Sequence, residues 1–577
     1  MPQDLPCNTV LLNLKSNSIT ALKKESFSCL GSLVELLLSN NRIRLIEKGV
    51  FEDATQLEYI ELDSNFLQRI PYLGSLPALL KLSVTRNSLK EWQQQTLRDP
   101  SEQLIYMNVE ANGITEIISM QALHININDN AIGSSNSSVL SGNNIFARNN
   151  NLTDFKQVRI SPDLVGLYLE TNQIGSIPNF TFVSASSLFF LELDDNHLVD
   201  IQPLAFIGLK DVVRLSLNRN RLVYLPAGVF SHIEQLSYLR LSGNPLKYIS
   251  NQQFSGVQGR IGTFIDLSCI PLSNTSIEIL RDLKNVQYLN LHQSFAFKQY
   301  FIRNTTIQAD TTIEFPELLI FRLSSLNLGN HCKELLMNNL ATLDLSNNSF
   351  TSIPRYCLPR NSKAYDLYLS DNEIKSISND SFDKQQQFWM LDLSYNNIIS
   401  FEFGSLQHQT YLTDLNLEGN QITTLDSGYL TFSLKSVRIN FESNPLLCDC
   451  DLIETFLTLH PEEKSMKCVQ PAAYADTSVA ELAAEDNFSC RPQLCSPPYQ
   501  TLLSFVGDRV ELPCPVRSST SSNTYWSVTL QELQFSDKDT LPDGVSILSH
   551  NALLITNVAK NMTGFYTCID DLNGKVI

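Results

Sequence analysis

The chain has 577 residues, 43% of them hydrophobic and 18% charged, and a formal net charge of −18. It is too long for one ordinary core and globular in composition. Its acidity repels phosphate and argues against nucleic acid as a partner, and no run of about eighteen apolar residues is present to span a membrane.

In chain order, the start "MPQDLPCNTVLLNL" lacks the basic opening and apolar core of a secretory leader. A repeat then takes over. "LYLETNQIGSI" (Leu167 to Ile177), "LELDDNHLVDI" (Leu191 to Ile201), "LDLSNNSFTSI" (Leu343 to Ile353) and "LDLSYNNIISF" (Leu391 to Phe401) share the pattern LxLxxNxL. Anchored on the asparagine, repeats fall at Asn17, Asn41, Asn65, Asn87, Asn112, Asn130, Asn150, Asn172, Asn196, Asn220, Asn244, Asn348, Asn372, Asn396, Asn420 and Asn444. Three degenerate units fit between Asn244 and Asn348, with Ile270, Ser294 and Leu326 at the asparagine position, giving about nineteen in all.

The two leucines alternate along a short strand and point into one core. The asparagine turns inward and satisfies backbone groups freed where the chain leaves the strand. Each unit buries its apolar face only against its neighbours, so the array is one long core whose ends need caps. Two irregular stretches, "NAIGSSNSSVLSGNN" (Asn130 to Asn144) and an insertion between Ser294 and Phe321, are either binding loops or drift on a tolerant surface.

After the last repeat comes "NPLLCDCDLIETF", with Cys448 and Cys450, then Cys468 and Cys490. A zinc site could recruit His460, but CxC is tighter than usual zinc spacing. A redox centre would want CxxC beside a βαβ unit. A disulfide-bonded lid fits the position, where the final repeat would otherwise expose its core. Cys7 with Cys29, and Cys332 with Cys357, lie about one repeat apart. Bridges between neighbouring units and buried free thiols are both open there, and Cys269 and Cys495 have no assigned pairing. The last segment alternates in "GDRVELPC", ending at Cys514, then carries Trp526, "NALLITNV" and "GFYTC", ending at Cys568.

The repeats resemble extracellular leucine-rich repeats of the 24-residue type, and the late cysteines resemble the cysteine-rich C-terminal flank of such arrays. The family pattern implies pairs Cys448–Cys468 and Cys450–Cys490, with Phe456 or Phe441 filling the space that tryptophan takes in many relatives. The order Cys514, Trp526, then Tyr566 two residues before Cys568 is similar to the immunoglobulin signature. It implies an inter-sheet Cys514–Cys568 bond, Trp526 packed on it and a tyrosine corner at Tyr566. Met562 stands where that pattern usually has Asp. The resemblance therefore implies an α/β solenoid, a leucine-rich-repeat horseshoe over 1–446. A disulfide-bonded cap follows over 447–491, then a β-sandwich immunoglobulin-like domain, truncated, over 494–577.

Disulfides persist in oxidising compartments, so the protein is expected outside the cell, at the plasma membrane surface. Its signal peptide and transmembrane segment would lie outside this chain. Sequons at Asn136, Asn151, Asn179, Asn274, Asn304, Asn347, Asn379, Asn487 and Asn561 suit a glycoprotein.

No GxSxG, HExxH, P-loop or EF-hand pattern is present, and the eight histidines are scattered. The chain is read as a non-enzyme without cofactor or metal. Residues flanking the core leucines should form the binding face. The distinctive set is Tyr168, Glu170, Phe190, Glu192, Asp194, Arg214, Tyr238 and Arg240, the aromatic and charged mixture favoured at interface hot spots. A smaller set is Tyr59, Glu61 and Asp63.

The resemblance implies a protein-recognition ectodomain of a cell-surface adhesion or signalling receptor, or a receptor modulator. Its partner would be a protein ligand or receptor on the cell surface or matrix, with monomer and dimer both open. The alternatives are the recognition arm of a larger enzyme, such as a receptor kinase or a peroxidasin-like protein, and a Toll-like innate immune sensor.

Overall fold

The computed structural model describes residues 5–92, 104–254, 264–302 and 315–424, the last three ranges with short internal gaps. Beyond them it describes 437–448, Leu452, 466–470, 474–484, 493–494, 509–512, 516–517, 524–530, 534–535, 545–547, 553–556 and 564–570. The chain forms two compact units, one of residues 1–350 and 354–368, the other of 351–353 and 369–577.

The first unit is a solenoid of short parallel strands. They are β1 (Leu11–Asn13), β2 (Glu35–Leu37), β3 (Tyr59–Glu61), β4 (Lys81–Ser83), β5 (Tyr106–Asn108), β6 (His124–Asn126), β7 (Asn144–Phe146) and β8 (Gly166–Tyr168). The series continues with β9 (Phe190–Glu192), β10 (Arg214–Ser216), β11 (Tyr238–Arg240), β12 (Phe264–Asp266), β13 (Tyr288–Asn290), β14 (Ile320–Arg322), β15 (Thr342–Asp344) and β16 (Tyr365–Tyr368). Each pairs with the next in unshifted register, so the middle residues form one column: Leu167 opposite Leu191, then Leu215, then Leu239, then Ile265. All five are fully buried. At about 1.5–3 kcal/mol for each large apolar side chain, this column fixes the register. A second apolar tier lines the return path, where Phe182, Phe206, Phe230 and Phe254 follow one another at centroid spacings of 6.3, 6.1 and 6.0 Å.

The turn out of each strand rests on the asparagine. Asn220 Nδ2 donates to Leu193 O (2.9 Å) and Leu217 O (3.1 Å), while its Oδ1 accepts the Leu198 N–H (3.0 Å). One side chain thus ties two successive turns, and Asn41, Asn65, Asn196 and Asn244 repeat the arrangement. The residue before each asparagine takes a left-handed conformation, as at Arg219 (φ 49) and Asp195 (φ 55). That conformation is costly for a side-chain-bearing residue, and the asparagine bonds offset it. In a degenerate unit Ser294 performs a reduced version: its Oγ donates to Leu267 O (2.5 Å) and accepts the Ile270 N–H (3.3 Å).

The second unit contains β17 (Phe388–Asp392), β18 (Asp414–Asn416) and β19 (Arg438–Asn440), with Leu391, Leu415 and Ile439 in register. The strands β1 to β19 thus match the repeat count expected from the sequence, and the degenerate units at Ile270, Ser294 and Leu326 follow β12, β13 and β14. After β19, Cys448 is disulfide-bonded to Cys468, with Cα atoms 5.6 Å apart. Leu446, Leu452, Met466 and two residues of the helix α1 (Val479–Ala484), Val479 and Leu482, are buried in the same region. Phe441 is buried too; Phe456, Cys450, Cys490, Cys495 and Cys514 lie outside the described residues.

Further on, strands Thr524–Leu530 and Gly564–Asp570 pair antiparallel with Trp526 opposite Cys568, and Leu553–Ile555 pairs with Val510–Leu512 and Val545–Ile547. In the first unit Cys7 is bonded to Cys29 and Cys332 to Cys357, with Cα separations of 4.9 and 5.4 Å; Cys269 is a free, exposed thiol.

Candidate functional site

Within each strand the middle residue points into the core, so the first and third side chains stand on the open face. Register turns these positions into two columns. The first runs Asn144, Gly166, Phe190, Arg214, Tyr238, Phe264, Tyr288, Ile320; the third runs Phe146, Tyr168, Glu192, Ser216, Arg240, Asp266, Asn290, Arg322. Parallel strands lie about 4.8 Å apart, a spacing that lets rings in one column stack.

They do so twice. Tyr238, Phe264 and Tyr288 stack with centroids 4.0 and 3.8 Å apart, and Phe146 stacks on Tyr168 at 4.6 Å with 10° between planes. Gly166 makes room for the second stack: a Cβ there would meet Asn144 Oδ1 and come within 2.8 Å of the Tyr168 ring. Guanidiniums lie over these rings. Arg214 and Arg240 sit 4.6 and 4.8 Å from the Tyr238 centroid, Arg148 sits 5.3 Å from that of Tyr168, and Arg322 sits 5.7 Å from that of Tyr288. Such contacts each contribute about 0.5–2 kcal/mol as desolvation increases.

Carboxylates complete the patch. Arg148 Nη2 pairs with Glu170 Oε1 at 2.8 Å, and Arg214 Nε with Glu192 Oε1. Glu192 is only 5% exposed, and its burial outweighs the attraction of Arg214. With Asp194 and Glu170 adding repulsion, its carboxyl is pushed up to about 7. Burial also raises Glu170 above the usual carboxylate range. Asp194 is engaged below the face: its Oδ1 accepts from Ser216 Oγ (2.5 Å) and the Asn218 N–H (2.8 Å), and its Oδ2 from Asn218 Nδ2 (3.2 Å).

The structure therefore brings Tyr168, Phe190, Glu192, Arg214, Tyr238 and Arg240 onto adjoining strands and Glu170 just past the end of β8, with Asp194 as a brace beneath them. Sequence reasoning missed Phe146, Arg148, Phe264, Tyr288 and Arg322, which extend the patch at both ends. Their signal was available, since each occupies a flanking position of a repeat, but Phe264, Tyr288 and Arg322 sit in the degenerate units. In the smaller set, Tyr59 is exposed, whereas Glu61 is held by Lys15 (2.9 Å) and Ser39 (2.6 Å), and Asp63 accepts from Ser83 Oγ (2.7 Å) and the Thr85 N–H (2.8 Å). Among the sequons, Asn151, Asn179, Asn347 and Asn379 are exposed and Asn274 lies in a two-residue strand. Asn136, Asn304, Asn487 and Asn561 lie outside the described residues. Among the described residues no group of three or more His, Cys, Asp or Glu side chains is placed to hold a metal.

Comparison with known proteins gives a match to the leucine rich repeat family model over residues 8–67, 191–246 and 338–398. The chain is 35% identical over 88 residues to leucine-rich repeat-containing protein 3 of Danio rerio, covering 15% of this chain and 33% of that protein. Among the solved structures similar to this chain are two Toll-type complexes. The Drosophila Toll–Spatzle complex aligns with TM-score 0.44 and 18% identity over 79% of this chain and 58% of that chain. The TLR13–ssRNA13 complex aligns with TM-score 0.39 and 19% identity over 80% and 70%.

Proposed function

We propose that this leucine-rich repeat protein is a non-catalytic extracellular recognition module that binds a protein ligand on the open face of β7–β14. The observation that carries the reading is the stacked tier Tyr238–Phe264–Tyr288 with Arg214 and Arg240 laid over it. Rings and guanidiniums at this density supply the large, rigid, partly desolvated contacts that dominate protein interfaces. Such a face fits an adhesion or signalling ectodomain, or a modulator of another receptor.

The extracellular setting is supported by the bridges Cys7–Cys29, Cys332–Cys357 and Cys448–Cys468, because such bonds persist in oxidising compartments. Exposed Asn151, Asn179, Asn347 and Asn379 are available for glycosylation. An immunoglobulin-like domain over 494–577, with a Cys514–Cys568 bond, is supported by the antiparallel pairing that sets Trp526 opposite Cys568. Peptide mapping under non-reducing conditions tests that bond.

The test of function uses the full chain as an Fc fusion, screened against cells displaying individual ectodomains. Substituting Tyr238 and Phe264 together by Ala should abolish saturable binding. Substituting Trp389 and Tyr411, which are 55% and 60% exposed in the second unit, should leave it intact. Equal loss in both variants would refute the placement.

A further inference from the structure

The patch is electrically lopsided. Toward its N-terminal side each guanidinium has its own carboxylate, Arg148 with Glu170 and Arg214 with Glu192. Toward its C-terminal side Arg240 and Arg322 make no ion pair among the described residues. Arg240 lies over Tyr238 and Phe264 (4.8 and 5.7 Å), and its Nε is buried with no hydrogen-bond acceptor. Asp266 stands opposite Arg240 in the register, yet its Oδ1 accepts instead from the Ser268 N–H (3.0 Å) and Ser268 Oγ (2.7 Å). With no carboxylate paired to it, the Arg240 guanidinium keeps its charge for a partner, and its outer N–H groups are the ones a ligand carboxylate would take.

We propose that β11–β14 receives an extended protein segment presenting two carboxylates, one to Arg240 and one to Arg322. The inference rests on the reading above that this open face is the recognition surface, and it names the chemistry of the ligand. Arg240 and Arg322 stand three strands apart, about 14 Å at ordinary sheet spacing. Four residues of extended chain cover about the same distance at ~3.4 Å each, so the acids belong four residues apart. Apolar side chains next to them meet the Tyr238–Phe264–Tyr288 stack. A guanidinium fork held flat against a ring presents its remaining N–H groups in the geometry that a carboxylate accepts. A nucleic acid is the poorer fit. Its phosphates would pass Glu170 and Glu192 on the same face of a chain with net charge −18.

The experiment pans phage-displayed random twelve-residue peptides on the full chain, then measures selected synthetic peptides by calorimetry. The variants are R240Q/R322Q and, separately, Y238A/F264A, each first checked for a wild-type thermal midpoint. Selected peptides should be enriched in Asp or Glu pairs four residues apart. R240Q/R322Q should weaken them roughly tenfold or more, and replacing both acids by amides should produce the same loss without adding to it.

Peptides lacking acidic enrichment, or acidic peptides that bind R240Q/R322Q unchanged, would overturn the proposal; sensitivity to Y238A/F264A would show that the wider reading survives. Peptides indifferent to both variants, or no peptides selected at all, would sink both. Tight binding of a 20-nucleotide single-stranded RNA, lost in R240Q/R322Q, would overturn the proposal in favour of a polyanion.

Discussion

The open face of the later repeats and the open face of β8–β11 are built on the same strand and behave oppositely. In β15, β17, β18 and β19 the third residue of the leucine-centred triplet is Asp or Asn, and it folds back on its own chain; in β16 that position holds Tyr368. Asp344 Oδ1 accepts the Ser346 N–H (3.0 Å), Asp392 Oδ1 the Ser394 N–H (2.9 Å), Asn416 Oδ1 the Glu418 N–H (3.2 Å) and Asn440 Oδ1 the Glu442 N–H (3.0 Å). This is the local bond that makes Asp and Asn good turn residues, and it leaves little free for a partner. In β8–β11 the same position holds Tyr168, Glu192, Ser216 and Arg240. Those side chains reach across strands or over rings, and some of their capacity is unspent. A polar side chain that recurs with the repeat serves the repeat, whereas one that breaks the pattern is free to serve something else.

The largest effect should come from the repeating side of that contrast. Asn220→Ala orphans the Leu198 N–H and removes one of the two asparagine donors from each of the carbonyls of Leu193 and Leu217, which keep Asn196 and Asn244. It should cost about 1–3 kcal/mol in a chemical denaturation experiment, and a loss below 0.5 kcal/mol (a rough floor for such groups) would mean that the asparagine tie is ornamental. Phe190→Ala with Arg240→Ala comes next: ligand affinity should fall roughly tenfold or more with little change in stability. The reverse outcome would make the patch a structural feature.

Glu192→Gln probes the patch through pH. Because the folded protein holds the Glu192 proton up to about 7, against 4.5 ordinarily, it binds that proton more tightly than the unfolded chain does. This site's contribution to stability therefore falls as pH rises from about 4.5 to about 7 and is level above that. E192Q should remove this part of the slope in denaturant midpoints compared at pH 5 and pH 8; an unchanged slope would mean that Glu192 titrates normally. The smallest effect belongs to Asp392→Ala, which gives up bonds from the Ser394 N–H and Oγ that water can replace. About 0.5–1 kcal/mol of stability and no change in binding are expected.

The contrast also explains how much the sequence revealed. The alternation of leucines and the asparagine five residues beyond the strand centre located every turn, including those where Ile270, Ser294 and Leu326 replace it. The core of the patch was visible because Tyr168, Phe190, Arg214 and Arg240 interrupt the repeated filler. Phe264, Tyr288 and Arg322 were passed over because their repeats are degenerate, so filler and exception are hard to tell apart there. Pairing was less legible still. That Arg214 takes Glu192 while Arg240 takes rings, and that Asp266 turns to Ser268, depends on side-chain direction rather than on order in the chain. The bridges Cys7–Cys29 and Cys332–Cys357 could not be distinguished from free thiols by spacing alone, because the choice depends on how closely the two turns approach.

The most direct measurement compares two glycan wedges. R214N creates an N-x-S sequon with Leu215 and Ser216 inside the patch, and D392N creates one with Leu393 and Ser394 in the filler region. Each chain is secreted from cells that glycosylate it, and occupancy is checked by the mass shift on enzymatic trimming. The account predicts that R214N with its glycan abolishes cell-surface ligand binding, while D392N binds as the unmodified chain does. Binding that survives the R214N glycan, or that is lost to the D392N glycan alone, would contradict it.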